Sequence, residues 1–205
     1  MTAARKLELV SVDDYLDGEL VSAVKHEYTG GYVYAMAGAT NVHNTIAVAF
    51  VSLMYNALRG HPCQPFNSDT KVRVRMPTHF RFYYPDGMVV CQSNPPGDSF
   101  QDRPVILAEV ISHTTRRIDE GEKRDAYLSI DGLSAYLLIE TTQPRVVVYH
   151  RTGDGFSPQQ YEGMKAVIPL GAIDSELLLA DLYERVDFAA AIEEERRAMP
   201  SDEPS

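Results

Sequence analysis

Three side chains carry the strongest chemical signal in the sequence: Asp86, Glu109 and Lys123. Asp86 lies between Pro85 and Gly87 at the head of a strand-like segment, and Glu109 interrupts PVILAEVI, the most apolar run of the chain. An unpaired carboxylate inside such a strand carries a large desolvation cost, so something must neutralise it. Two carboxylates from adjacent strand ends that converge on one point make a hard oxygen site, suited to Mg²⁺ or Mn²⁺. Taken singly, each residue also has a bland reading. Asp86 can be a turn aspartate, Glu109 a salt-bridged or rim glutamate, and Lys123 an exposed helix base paired with Asp119 or Glu120, worth about 0.3–0.5 kcal/mol. Asp119, Lys123 and Tyr127 are spaced i, i+4, i+8, so on a helix they share one stripe able to face the end of the sheet that carries both acids.

The elements that must position these residues follow from local patterns. Ser11 before Asp13 and Asp14 predicts a short capped helix. Val24 to Tyr28 and Tyr32 to Met36 flank Thr29-Gly30-Gly31, a hairpin signal because glycine reaches positive φ without steric cost. Apolar residues at helical spacing from Thr40 to Leu58, closed by Gly60 and Pro62, predict the first long helix. Lys71 to Met76 alternates with period two and predicts a half-buried strand with its bases on one face. Further strands are predicted at Phe82 to Tyr84, Gly87 to Cys91 and Pro104 to Ile111, the last central in its sheet. A polar helix capped by Thr114 or Thr115 runs to Ile130, followed by strands at Ala135 to Glu140, Val146 to His150, Gly155 to Tyr161 and Ala166 to Leu170. A final helix is predicted over Ser175 to Glu184, and after Phe188 a frayed helix running into a disordered end, an acidic and flexible tail over 189–205. Strands and helices without strict alternation indicate a mixed sheet of α/β or α+β type, in one domain over 1–188.

The chain of 205 residues carries 19 Lys and Arg against 29 Asp and Glu, a formal net charge of -10, so it repels polyanions as a whole and any nucleic-acid contact must be local. Cys63 and Cys91, its two cysteines, form neither a CxxC pair nor an expected disulfide framework, which favours a reducing cytoplasm. No apolar run approaches a membrane span, so no membrane partner is expected. There is no GxSxG elbow, P-loop, GxGxxG after a strand, or HExxH.

Pro85-Asp86, then Glu109-Val110-Ile111-Ser112, then Thr115, Asp119, Lys123 and Tyr127 resemble the Uma-type restriction-endonuclease-like family of the PD-(D/E)XK nuclease superfamily. The resemblance runs from Ser11 to Leu182 and includes Glu27 with the Gly30-Gly31 hairpin, His43, Asp69 and Tyr136. It implies a restriction-endonuclease-like mixed β-sheet flanked by helices, and a Mg²⁺- or Mn²⁺-dependent endonuclease acting on DNA. Asp86, Glu109 and the Val110 carbonyl would hold the ion, Lys123 would orient or help deprotonate the attacking water, and Glu27 would be a further active-site acid. His43, Asp69, Asp119 and Tyr127 would be auxiliary. The sequence departs from the superfamily pattern at Ile111, which occupies the usual lysine position two after the Glu, so the lysine is supplied by the following helix. It also departs in Ser112-His113-Thr114-Thr115, which lacks a proline after the serine, and in Tyr136 to Glu140, which lacks a tryptophan.

Phosphates call for cations, and Lys71, Arg73, Arg75, Arg116 and Arg117 are the candidates for nucleic-acid contact; the plain alternative is an ordinary solvated face. A homodimer is a further expectation, drawn from the tyrosine-rich strands between Ala135 and Tyr161. A nuclease-like module that has lost cleavage and only binds nucleic acid or protein is the competing functional reading.

Overall fold

The structure is a computed structural model that describes residues 9–36, 38–112, 116–153 and 155–198. Its centre is a six-stranded mixed sheet in the order β11-β10-β9-β8-β6-β3, built from β3 (Gln64–Asn67), β6 (Gly87–Val90), β8 (Pro104–Ile111), β9 (Ala135–Glu140), β10 (Arg145–Thr152) and β11 (Gly155–Glu162). β8 and β9 pair in parallel and the other neighbours pair antiparallel. A strand covered on both faces cannot alternate polar and apolar residues, which accounts for the near-continuous apolar run of β8.

One face of this sheet packs against α2 (Asn41–Ala57), placing Ile46, Phe50 and Met54 against Val89, Ala108 and Val110. The other face, with Leu107, Ile111, Tyr136 and Leu138, packs against Ala126 and Tyr127 of a helical segment and against Val72 and Val74. That segment consists of α3 (Arg116–Ile118), a π-helical turn over Asp119–Lys123, and α4 (Arg124–Leu128).

A second sheet, in the order β2-β1-β5-β4-β7, comprises β1 (His26–Thr29), β2 (Tyr32–Ala35), β4 (Lys71–Arg75), β5 (Phe80–Tyr83) and β7 (Phe100–Gln101). Gly30 and Gly31 turn the β1–β2 hairpin with φ of 55° and 101°, the two positive angles that a two-residue turn matching the strand twist demands. The short helix α1 (Val12–Val21) is capped by Ser11, whose side chain accepts from the Asp14 N–H. Its Tyr15 closes a small aromatic cluster with Tyr28 and Phe82.

Several expectations need correction. Ser175 to Glu184 is not one helix: β13 (Ser175–Leu178) pairs antiparallel with β12 (Val167–Leu170), and only α5 (Leu179–Leu182) is helical. Pairing with β12 overrides the helix propensity of the leucines. Cys63 and Cys91 are bonded as a disulfide. Gln64 pairs with Val90, so extending that antiparallel register by one residue sets the two cysteines opposite each other, and the cysteine argument for a reducing compartment falls. The segment read as a frayed helix is α6 (Phe188–Ala198), with Ala191 buried; 199–205 and the caps Thr114 and Thr115 lie outside the described residues. In the tyrosine-rich strands between Ala135 and Tyr161, Tyr136 and Tyr161 are buried and Tyr149 is half-buried.

Candidate active site

The register of the central sheet brings the two acids together. Gly87 pairs with Ala108 across β6 and β8, so one further antiparallel step places Asp86 opposite Glu109 on the same face. The backbone N–H of Val110 donates to Asp86 Oδ2 at 2.8 Å. At Gly87 α2 also lies close on the sheet, since a Cβ there would stand 2.5 Å from the Phe50 ring. That approach carries His43, two turns before Phe50, to within reach: its Nε2 lies 3.1 Å from Asp86 Oδ2.

Glu109 is buried. Its Oε1 accepts from the Tyr127 hydroxyl at 2.8 Å and from Lys123 Nζ at 3.3 Å. The Lys123 ammonium also lies 2.9 Å from Glu27 Oε1 and 3.4 Å from Asp119 Oδ1. Three carboxylates from β1, β8 and the π turn therefore surround one buried cation. The face of Tyr83 stands 5.8 Å from the same ammonium.

The electrostatics follow from this crowding. Burial pushes the Glu109 carboxyl well above its usual range, and the neighbouring acids Asp119, Asp86 and Glu27 add to the shift while Lys123 opposes it. Burial alone would lower the Lys123 ammonium, but Glu109, Glu27 and Asp119 outweigh it and hold the amine firmly protonated. Desolvation works against a charged His43 as well, and its contact with Asp86 reverses the balance and holds the imidazole up.

The cluster sits at the bottom of a cleft of about 920 Å³ bounded by Lys25, Glu27, Tyr34, Arg117, Glu122 and the α6 residues Glu194 and Glu195. Asp86, Glu109 and Val110 also line it. The donors are carboxylate oxygens, the kind that suits a hard divalent cation. Among the described residues, however, no three His, Cys, Asp or Glu are already gathered at metal-holding distance; the ammonium occupies that role.

Residues 12–180 match Uma2, described as "Putative restriction endonuclease". The chain belongs to the Uma2 family. It is 33% identical over 147 residues to the uncharacterized protein slr1290 of Synechocystis sp., covering 71% of this chain and 76% of that protein. It is 27% identical over 157 residues to sll1609 of the same organism, covering 75% and 88%. Its fold is similar to that of a "putative nuclease belonging to DUF820" from Anabaena variabilis ATCC 29413, with a TM-score of 0.64 at 17% identity over 82% of this chain and 97% of the other.

Of the residues singled out in the sequence, this Uma2 chain brings Glu27, His43, Asp86, Glu109, Val110, Asp119, Lys123 and Tyr127 into one cluster. Asp69 stays apart: its carboxylate pairs with Lys25 at the rim and is 71% exposed. The basic candidates are largely engaged internally. Lys71 is buried over the Tyr84 ring, Arg73 is held by Asp102, and Arg75 lies over Phe80. Arg116 is clamped to Glu140 and Glu120, and Arg117 lines the cleft. Sequence reasoning missed Glu122, bound by Arg81 and Tyr83 at the cleft wall, and missed Tyr34. The pairing of Tyr34 with Glu27 across the Gly30-Gly31 turn was the available signal.

Proposed function

We propose that this chain is a divalent-metal-dependent endonuclease hydrolysing phosphodiester bonds of DNA. The observation that carries the reading is the convergence of Glu27, Glu109 and Asp119 on Lys123, with Asp86 opposite Glu109, at the bottom of an open cleft. So many acids destabilise a fold unless they serve a cation. Membership in the Uma2 family supports the nuclease part of the reading.

Asp86, Glu109 and the Val110 carbonyl would hold Mg²⁺ or Mn²⁺. Such an ion, when bound, polarises a phosphoryl oxygen and lowers the pKa of a bound water. The protein's own contribution is positional and electrostatic. His43 and the Val110 N–H fix the Asp86 carboxylate from two sides, and Tyr127 fixes that of Glu109. Lys123, held as an ammonium, cannot take a proton from water. It acts as a donor that orients the nucleophile or neutralises charge growing on the phosphate. Glu27, at the open side of the cluster, is placed to accept a hydrogen bond from the incoming water.

The test pairs cleavage with ion uptake. Purified chain is assayed for Mn²⁺- and Mg²⁺-dependent cleavage of plasmid and oligonucleotide DNA, and Mn²⁺ binding is followed by calorimetry. Asp86→Ala and Glu109→Ala should fold, lose cleavage and lose ion uptake. Cleavage undiminished in both variants, or a wild-type chain that takes up no Mn²⁺, would overturn the assignment in favour of a binding module.

A further inference from the structure

The wall of the cleft beside Glu27 carries Tyr34, and Tyr32 lies two residues before it on the same strand, outside the cleft lining. β2 is the outermost strand of its sheet, and all four of its residues are exposed. Tyr34 pairs with Glu27 and Tyr32 with Thr29. Directly opposed residues of an antiparallel pair share a face, so both rings stand on the side of the sheet that bears Glu27. The other side, represented by Tyr28, is used up against Tyr15 and Phe82. Tyr32 is 47% and Tyr34 56% exposed. Among the described residues neither ring enters an aromatic pair, and neither hydroxyl makes a hydrogen bond. Glu27, Thr29 and Tyr34 line the cleft, and Glu27 is 2.9 Å from the Lys123 ammonium.

The geometry points to Tyr34 and Tyr32 as a base-stacking platform that makes single-stranded DNA the substrate of this site, an inference that rests on the nuclease reading. Residues i and i+2 of a strand lie about 6.7 Å apart. That is about twice the 3.4 Å rise between stacked bases, so two rings at this interval meet the bases of an extended, unstacked strand and cannot engage a closed duplex. Ring stacking is indifferent to sequence because every base has a π-face. The charge of the cleft points the same way. Glu122, Glu194 and Glu195 line it besides the acidic cluster, against Lys25 and Arg117. A wall of that sign tolerates one phosphate backbone delivered by stacking better than the two backbones of a duplex. A strand whose bases rest on Tyr34 and Tyr32 passes its phosphates along Glu27 toward Lys123, where hydrolysis would occur.

The test uses the full chain in Ca²⁺ with a fluorescein-labelled 15-mer of thymidine and a labelled 15-base-pair blunt duplex, read by anisotropy. The single strand should bind more tightly than the duplex. Tyr34→Ala should weaken single-strand binding on the order of 5- to 150-fold, the range of one lost stack, with no change in duplex binding. Tyr34→Phe should retain binding, and Tyr34→Leu, which keeps apolar contact without a π-face, should behave as the alanine variant. Equal binding by wild type and Tyr34→Ala, preference for the duplex, or no binding of the single strand would each overturn the platform. Mn²⁺-dependent cleavage by wild type is scored separately. Stacking without cleavage would remove the nuclease reading and leave the platform standing, whereas duplex cleavage without a Tyr34 effect would do the reverse.

Discussion

Replacing Lys123 by methionine removes the ammonium that the structure places among Glu27, Glu109 and Asp119, at 2.9, 3.3 and 3.4 Å from its Nζ. Methionine keeps most of the stem volume, so the change is electrostatic and not a cavity. Breaking a buried ion pair by removing one partner costs about 3–5 kcal/mol. Glu109, already pushed toward its protonated form by burial, can relieve one negative charge by taking up a proton, which sets the expectation at the lower end. For a domain of this size each kcal/mol moves Tm by about 2–4 °C, so Lys123→Met should melt about 6–12 °C below wild type. A divalent cation should then do what the ammonium did. Ligand present at a hundred times its Kd stabilises by about 2.7 kcal/mol, so Mg²⁺ held by Asp86 and Glu109 should restore much of the lost Tm in the variant and raise wild type less, because there Lys123 already neutralises part of the Glu109 charge. Thermal melts in EDTA and in MgCl₂ at matched ionic strength provide the measurement, and Lys123→Met with Glu109→Gln should regain part of the loss without metal. An unchanged Tm in Lys123→Met, or a Mg²⁺ response no larger than that of wild type, would refute the view that these carboxylates form a cation site.

Two further outcomes are expected. Gly87→Ala puts a Cβ 2.5 and 2.6 Å from two carbons of the Phe50 ring, which should cost about 1–3 kcal/mol by overpacking; Phe50→Leu in the same chain should recover part of it in urea melts, and no loss in the single variant would contradict the close helix–strand approach. Burial works to raise the pKa of Glu140, but Arg116 and Arg145 outweigh it and hold the carboxyl below the usual carboxylate range. Its contribution to stability is therefore present above the ordinary glutamate pKa and lost as pH falls through the depressed one. Glu140→Gln should lower Tm at neutral pH by about 2 kcal/mol equivalent, given arginines that are partly solvated, and should flatten the acid limb of the Tm–pH curve; an unaltered acid limb would count against the clamp.

How far the sequence disclosed the site depends on the kind of interaction. Glu109 was visible because a carboxylate inside PVILAEVI is costly without a partner, and Asp86 because it heads the neighbouring strand. Lys123 stood out by sharing a helical stripe with Asp119 and Tyr127, but its role came from the resemblance, since an i, i+4 acid–base pair looks the same on any solvated helix. The contact of His43 with Asp86 was hidden because it depends on Gly87 letting Phe50, seven residues further along α2, press onto the sheet. The disulfide was hidden for a similar reason: Gln64–Asn67 has too little alternation to announce an edge strand, and without that strand no register opposes Cys63 to Cys91. Ser175–Leu178 was misassigned because its local propensity is helical while its hydrogen bonds go to Val167–Leu170. The basic strand had the right period but the wrong destination, with Lys71 and Arg73 committed to Tyr84 and Asp102.

The π turn at Asp119–Lys123 shows why local and global demands meet at this segment. Asp119 and Lys123 must face the acids of the sheet, while Ala126 and Tyr127, a few residues on, must enter the core against Tyr83 and Tyr136. In an unbroken α-helix each residue turns the next by about 100°, so one residue too few or too many would carry either the site pair or the core pair away from its target. The wider turn lies at the point where both sets join, consistent with the tendency of such turns to occur at functional sites. Tyr127 then serves both sides, its ring packed in the core and its hydroxyl on Glu109. Tyr136 closes the arrangement by donating to the Asp119 carbonyl at 3.1 Å, which ties the irregular turn to the central strand. The position of the buried ammonium is thus fixed by the core as much as by its carboxylate partners, and a cation site held in this way is set before any ligand arrives.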